Sequence, residues 1–180
     1  MSLTESGTIF QMLIRPATAQ DISAICEIEN QEIEHGFANF ALEPVSVEGR
    51  TRQFLEAEGQ HPWFVAQEGK EIFGFARASA WKSRGAYMWS AEIGVYVKPG
   101  HQGKGIGKLL YAELFPAMEA VGIRTILAGI ALPNDASVRL HESFGMERVG
   151  TLPCVGFKHG EWRDVGYWAK HLGSGPPSSC

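Results

Sequence analysis

Cysteine is scarce in this chain: three among 180 residues, Cys26, Cys154 and Cys180. The number is odd and the spacing matches no metal template, so neither a disulfide framework nor a thiolate metal site is expected. The six histidines show no ligand spacing either, and no metal is expected. No apolar run approaches the roughly 18 residues that suggest a membrane span. The N-terminus lacks the basic start and long apolar core of a secretory signal. Reduced thiols therefore point to a cytoplasmic protein. Basic runs are absent too: 16 Lys and Arg stand against 20 Asp and Glu, for a net charge of −4. That balance makes nucleic acid a poor partner. There is no internal repeat and no interior linker.

What remains is an ordinary apolar fraction of 44% in a chain long enough to bury a core. One domain is expected over residues 12–172, with 1–11 and 173–180 as peripheral, disordered tails. Leu13 to Arg15 reads as a first strand, and Thr18 with Asp21 resembles a capping box. Ile22, Ile25, Cys26, Ile28 and Ile33 give a helical stripe over about 21–34. A second helix starts near Ser46, turns Val47, Phe54 and Leu55 inward, and stops at Gly59. Strands 63–67 and 72–80 flank a hairpin turn at 68–71. A polar loop over 81–87 leads to a strand at about 88–97. A helix over about 105–120, a strand at 125–131, a short helix from Asn134 to Gly145 and strands near 149–156 and 166–170 follow. The order β-α-α-β-β-β-α-β-α-β-β argues for an α/β protein of α+β type.

One stretch carries most of the functional information. From Val95 to Leu110 the chain reads as a β-branched strand, a turn, the glycine-rich loop Gln102-Gly103-Lys104-Gly105-Ile106-Gly107-Lys108, and an amphipathic helix. Unpaired N–H groups at a helix N-terminus favour an anion, and a pyrophosphate fits best. Glycines let the ligand reach the backbone. A Walker loop requires Ser or Thr after Gly-Lys, and Leu109 stands there instead. A dinucleotide fingerprint requires G-x-G-x-x-G near the start of a βαβ unit, and Gly103, Gly105 and Gly107 have neither that spacing nor that place. The third pattern, Q/R-x-x-G-x-G/A, is met in full by Gln102, Gly105 and Gly107.

The loop, the element order and Asn134-x-x-Ser137 opening a short helix together resemble the GCN5-related N-acetyltransferases (GNAT) over about residues 12–172. Within that superfamily the chain looks most like the phosphinothricin and methionine sulfoximine/sulfone acetyltransferases. The resemblance rests on Asn39-Phe40, on Trp81-Lys82-x-Arg84-x-Ala86-Tyr87, and on Glu92-x-x-Val95-Tyr96-Val97. It extends through Leu132-Pro133-Asn134-Asp135-x-Ser137-Val138-Arg139-Leu140-His141-Glu142. It ends in Gly156-Phe157-Lys158-His159-Gly160-x-Trp162-x-Asp164-Val165-Gly166. It implies a mixed, largely antiparallel central sheet flanked by about four helices. It also implies acetyl-CoA as cosubstrate and transfer of acetyl to the amine of a small amino-acid analogue.

The same resemblance implies roles. Glu92 is the expected general base; an outward-facing sheet carboxylate is the plain alternative. Val95, Tyr96 and Val97 would face the pantetheine arm, with a bulge near Val97 exposing an N–H to the oxyanion. Backbone N–H groups of Gly103, Lys104, Gly105, Ile106, Gly107 and Lys108 would take the pyrophosphate, with Gln102, Asn134 and Ser137 as further cofactor contacts. His141 stands where many members carry a tyrosine that protonates the thiolate, and either that role or a positioning role fits it. Asn39, Phe40, Lys82, Arg84 and Tyr87 would form the acceptor pocket around Glu92, although Lys82 and Arg84 could equally be solvated loop cations. Around Asn39 and Glu92 the chain departs from the phosphinothricin enzymes, at His35-Gly36-Phe37-Ala38, Ser90-Ala91 and Ile93-Gly94. Another small amine, a protein N-terminus, or a non-catalytic acetyl-CoA-binding module are the competing readings. Members of the group are usually homodimers, and Trp162, Tyr167 and Trp168 are candidates for the contact.

Overall fold

The computed structural model describes residues 12–173. The expected tails lie outside the described residues, Gly173 apart. The elements are β1 (Leu13–Pro16), α1 (Ile22–His35), α2 (Val47–Ala57), β2 (Trp63–Glu68), β3 (Glu71–Ala80) and β4 (Ser90–Val97). They continue as α3 (Ile106–Ala120), β5 (Thr125–Leu132), α4 (Asp135–Ser143), β6 (Glu147–Lys158) and β7 (Glu161–His171). This is the order read from the sequence.

The seven strands form one sheet in the order β1-β2-β3-β4-β5-β7-β6. Every neighbouring pair is antiparallel except β4 with β5. The largely antiparallel mixed sheet with four helices is therefore as expected. No helix among the described residues is long and apolar enough to cross a membrane.

Helices cover both faces. On one, Leu110, Tyr111, Leu114 and Met118 of α3 pack on Ala76, Ala78, Ala91, Ile93, Ile126 and Ala128. Small alanines on the strands let the bulky helix side chains close down on the sheet. On the other, Ile22, Ile25 and Ile28 of α1 pack on Trp63, Val65 and Phe75. Fully burying such a side chain is worth about 1.5–3 kcal/mol, which makes these stripes the reason the helices dock.

Three details differ from expectation. Val47 and Leu55 of α2 are exposed; its inner stripe runs through Arg50, Phe54 and Ala57 instead. β6 and β7 form a longer hairpin than 149–156 and 166–170 suggest. Pro153, two glycines and a positive φ of 48° at Cys154 mask the strand pattern, and the register shifts between Leu152 and Gly156. Finally, no bulge near Val97 breaks β4. The β3–β4 register runs unshifted from Ala80↔Ala91 to Gly74↔Val97.

The break in pairing lies on the other edge of β4. β4 joins β5 at Ser90↔Thr125, Ala91↔Ile126 and Glu92↔Leu127. Beyond that point β4 stays with β3, while β5 stays with β7 as far as Leu132↔Asp164. The sheet opens there as a V. Below it α3 meets α4 closely: a Cβ added at Gly107 would lie 3.0 Å from Leu140 Cδ2 and 3.8 Å from Val95 Cγ2.

Candidate active site

One wall of the V is a groove of about 670 Å³ between β4, the glycine loop and α4. Gly103 and Gly105 adopt φ of 75° and 83° with open space above them. Their need for glycine is thus conformational. Gly105 is the residue before α3, and its carbonyl accepts the first helical bond, from Leu109 N–H at 3.1 Å. No side chain caps this end and no acidic residue stands in the first turn. The N–H groups of Ile106, Gly107 and Lys108 therefore have no helical acceptor, and the dipole there favours an anion. The Ile106 side chain itself is buried in the core, so only its backbone can serve a ligand. Gln102 braces the loop from within: its Oε1 accepts from Gly100 N–H at 2.8 Å, and its Nε2 donates to the Val97 carbonyl at 3.3 Å. Lys104 is exposed and outside the groove, while Lys108 lines it.

Strand alternation decides which β4 groups face this groove. Lys98 N–H bonds the Phe73 carbonyl of the β3 side, and the Trp89 carbonyl takes donors from Arg124 and Thr125 at the start of β5. Even-numbered β4 residues thus bond β3, and odd-numbered ones face β5. Past the fork, the N–H groups of Val95 and Val97 point into the opening.

The second cavity, about 450 Å³, sits on the fork. Its floor is one face of the sheet: Arg77 and Ser79 of β3, Glu92, Gly94 and Tyr96 of β4, Gly129 and Ala131 of β5, and Val165 and Tyr167 of β7. Asn39 and Phe40 from the α1–α2 connection and Gly156 of β6 form a wall. Glycines at 94 and 129 leave the space above Glu92 open; a Cβ at Gly129 would stand 3.4 Å from Glu92 Oε1. Burial pushes the Glu92 carboxyl above its ordinary pKa, against the pull of Arg77 and Lys82. A raised carboxyl is a better base once ionised.

The wall is held from the far end of the chain. Lys158 Nζ donates to the Asn39 carbonyl at 2.6 Å, and the Arg163 guanidinium lies 3.9 Å from the Phe37 ring centre. The Phe40 ring rests on Gly156, where a Cβ would come within 2.5 Å of it. Asn39 Nδ2 in turn donates to Tyr96 Oη at 3.2 Å and to Glu29 Oε1 at 3.1 Å.

His141 lines the same cavity but is 4% exposed. Its Nδ1 lies 2.7 Å from the Ser137 carbonyl, which can only accept, so Nδ1 carries the proton. Nε2 then accepts from the Tyr111 hydroxyl at 2.9 Å. Burial lowers the His141 pKa, and the Ser137 carbonyl opposes it. The ring is neutral at pH 7 with both nitrogens occupied. Asn134 Oδ1 accepts from Ser137 N–H at 3.1 Å, capping α4.

The fold brings Asn39, Phe40, Glu92, Val95, Tyr96, Asn134, Ser137 and His141 together around these two cavities. It leaves Lys82, Arg84 and Tyr87 outside both. Lys82 and Arg84 are exposed, Lys82 Nζ stands over the Trp81 ring at 5.2 Å, and Tyr87 packs edge-on against Trp81. The loop between β3 and β4 turns on itself and keeps them there. Of the C-terminal aromatics, Trp168 is core, Tyr167 lines the Glu92 cavity, and Trp162 is 61% exposed. Arg77 escaped the sequence reading, although it is the one charge inside the apolar run Ile72 to Ala80. So did Glu29, a carboxylate on the buried stripe of α1, four residues after Ile25 and four before Ile33.

Residues 23–146 match the model of the acetyltransferase (GNAT) family. The chain is 45% identical over 157 residues to the phosphinothricin N-acetyltransferase of Streptomyces viridochromogenes, covering 87% of this chain and 86% of that one. It is 34% identical to the L-methionine sulfoximine/L-methionine sulfone acetyltransferase of Salmonella typhimurium, covering 94% of this chain and 100% of that one. Its structure is similar to that of yncA from Salmonella typhimurium, solved with its cofactor acetyl-CoA. The TM-score is 0.90 at 33% identity, covering 94% of this chain and 99% of that one.

Proposed function

The chain belongs to the acetyltransferase (GNAT) family, and from that premise we propose that its acceptor is a small amino-acid analogue of the phosphinothricin and methionine sulfoximine or sulfone class. It is an acetyl-CoA-dependent N-acetyltransferase. The observation that carries the acceptor reading is that the two cavities meet: both are lined by Ala38, Val95, Tyr96, Asn134 and Ser137, with Glu92 at the fork between them. A cosubstrate in the groove and an amine in the Glu92 cavity would share that boundary.

The residues fit acetyl-CoA. The left-handed glycines and uncapped α3 N-terminus suit a pyrophosphate. The free odd-numbered edge of β4 suits an amide-bearing arm, with Val97 N–H as a donor. When bound, acetyl-CoA supplies an acetyl thioester. Glu92 then removes the proton from the incoming ammonium, directly or through one water, because only the neutral amine has a lone pair to attack with. Val95 N–H, on the same free edge and nearer Glu92, would stabilise negative charge on the carbonyl oxygen. His141, neutral and doubly bonded, serves as a positioning group that holds the first turn of α4 and with it Asn134 and Ser137.

We further propose a cytoplasmic homodimer. Leu152, Val155, Phe157 and Trp162 of the β6–β7 hairpin are exposed apolar side chains, and a second copy would cover them.

Thiol release from acetyl-CoA tests the reading across phosphinothricin, methionine sulfone, methionine sulfoximine, common amino acids and polyamines. Turnover confined to the first three is the expected result. Preference for a polyamine, or no turnover with acetyl-CoA still bound, would overturn the acceptor assignment.

A further inference from the structure

Two arginines and one glutamate meet at the wall of the Glu92 cavity, and only one of the arginines is hydrogen-bonded to the glutamate. Glu29 on α1 is fully buried. Its Oε2 accepts from the Arg50 guanidinium of α2, itself buried, and its Oε1 accepts from Asn39. Arg77 of β3 comes no nearer than 3.8 Å to Oε1, beyond hydrogen-bond reach. Arg50 therefore pairs with Glu29, and the Arg77 guanidinium is left without a hydrogen-bonded carboxylate.

No carboxylate among the described residues hydrogen-bonds Arg77; Glu92 feels its charge across the cavity. The Arg77 side chain makes no hydrogen bond among the described residues; it stands over the Trp63 ring at 5.4 Å and stays 21% exposed toward the cavity. The remaining titratable groups facing it are Glu92 and Tyr96 on β4, Glu56 on the exposed side of α2, and His61. Behind Arg77 lies a further space of about 580 Å³, walled by α2 and Trp63, with Asn39, Arg77 and Ser79 shared between the two chambers. Three N–H groups on that side, Arg50 Nε, Trp63 Nε1 and Arg77 Nε, have no acceptor. A wall with three unmet N–H donors, two of them on guanidinium groups, calls for acceptor oxygens bearing negative charge.

We infer that Arg77 is the anion anchor of the acceptor site: the substrate is an amine that also carries an oxyanion, gripped by Arg77 while the amine faces Glu92. This rests on the proposed small amino-acid acceptor and moves anion recognition from Lys82 and Arg84 to β3. Ser79 stands opposite Glu92 in the register, and Arg77 is the next residue along the same face. Such diagonal neighbours lie about 7–8 Å apart, which accommodates either an α-carboxylate or an acid group farther along the acceptor.

Four acceptors separate those sources: phosphinothricin, its α-amide, methionine sulfone and methionine sulfone amide. The first has both anions, the second only the distal one, the third only the carboxylate, the fourth none. Arg77→Gln is expected to lower kcat/KM about 10- to 100-fold for the compounds retaining the gripped anion. The amide without an anion should change less than about 3-fold, and Arg77→Lys should restore part of the loss. An equal loss for all four, or no loss, would overturn the inference. If the wild-type enzyme turns over none of them, the acceptor class is wrong, and calorimetry with CoA present still decides the anchor. Methionine sulfone binding no tighter than its amide, together with phosphinothricin α-amide binding no tighter than methionine sulfone amide, would then sink it.

Discussion

Glu92 stands opposite Leu127, and that pairing is the last one joining β4 to β5. One residue earlier a carboxylate would sit within intact sheet; a few residues later it would hang over the open groove. At the fork it lines the second cavity beside the groove and is buried enough for its pKa to rise.

Glu92→Gln is expected to lower kcat by about 100-fold or more, since a positioned base typically contributes 10²- to 10⁴-fold. Acetyl-CoA affinity should hold, because the groove is built from other residues. Stability should move the other way. A carboxyl whose folded pKa is raised contributes its stability fully below the unfolded pKa and loses it as pH climbs through the folded pKa. At pH 7 the charged form opposes folding, so the Gln variant should melt higher there and lose that advantage in acid. Tm measured across pH, beside acetyl-CoA binding, checks both halves.

Lys82 pulls the Glu92 pKa down from outside the cavity. Lys82→Met should therefore move the acid limb of the kcat/KM profile to higher pH, because more carboxylate is then protonated at a given pH. Lys82 is exposed, so the shift should shrink as salt rises. A large rise in acceptor KM at saturating acetyl-CoA, with no movement of the limb, would instead make Lys82 a direct contact.

Gly105→Ala should weaken acetyl-CoA binding. Nothing lies within 4 Å of the added Cβ, so the penalty is the φ of 83° alone. A left-handed non-glycine residue costs roughly 1–2 kcal/mol, and relaxing it would turn the loop N–H groups away from their present directions. Calorimetry with CoA, with Gly85→Ala as a control at an ordinary φ, separates loop geometry from general damage.

Tyr111→Phe should destabilise the fold by about 1–3 kcal/mol, because His141 Nε2 would be left buried without its donor. Urea unfolding measures this. If stability is unchanged, the buried pair does not hold α4 in place.

The element order was legible because α1, α3 and the strands carry clean apolar periodicities. The glycine loop was legible because its function resides in the backbone and its spacing. The acceptor side was not. Which of two loops reaches Glu92 depends on how the β3–β4 connection turns back on Trp81, and no local pattern encodes that. Asn39 and Phe40 lie at the cavity only because Lys158 and Gly156, more than a hundred residues later, draw that loop across the sheet. Glu29 and Arg77 did leave a trace, as charges on otherwise apolar faces. Their meaning appears only when α1, α2 and β3 are packed together.

β7 lies between β5 and β6 in the sheet, although it follows both in the chain. During synthesis β5 must therefore wait, with one edge unpaired, until α4 and all of β6 have emerged. Only then can β7 slot in and carry Val165 and Tyr167 to the floor beside Glu92, with Lys158 pinning the opposite wall. A nascent chain halted after β6 would present the glycine loop and Glu92 without the finished cavity beside them. Competence for acetyl transfer thus arrives late and all at once.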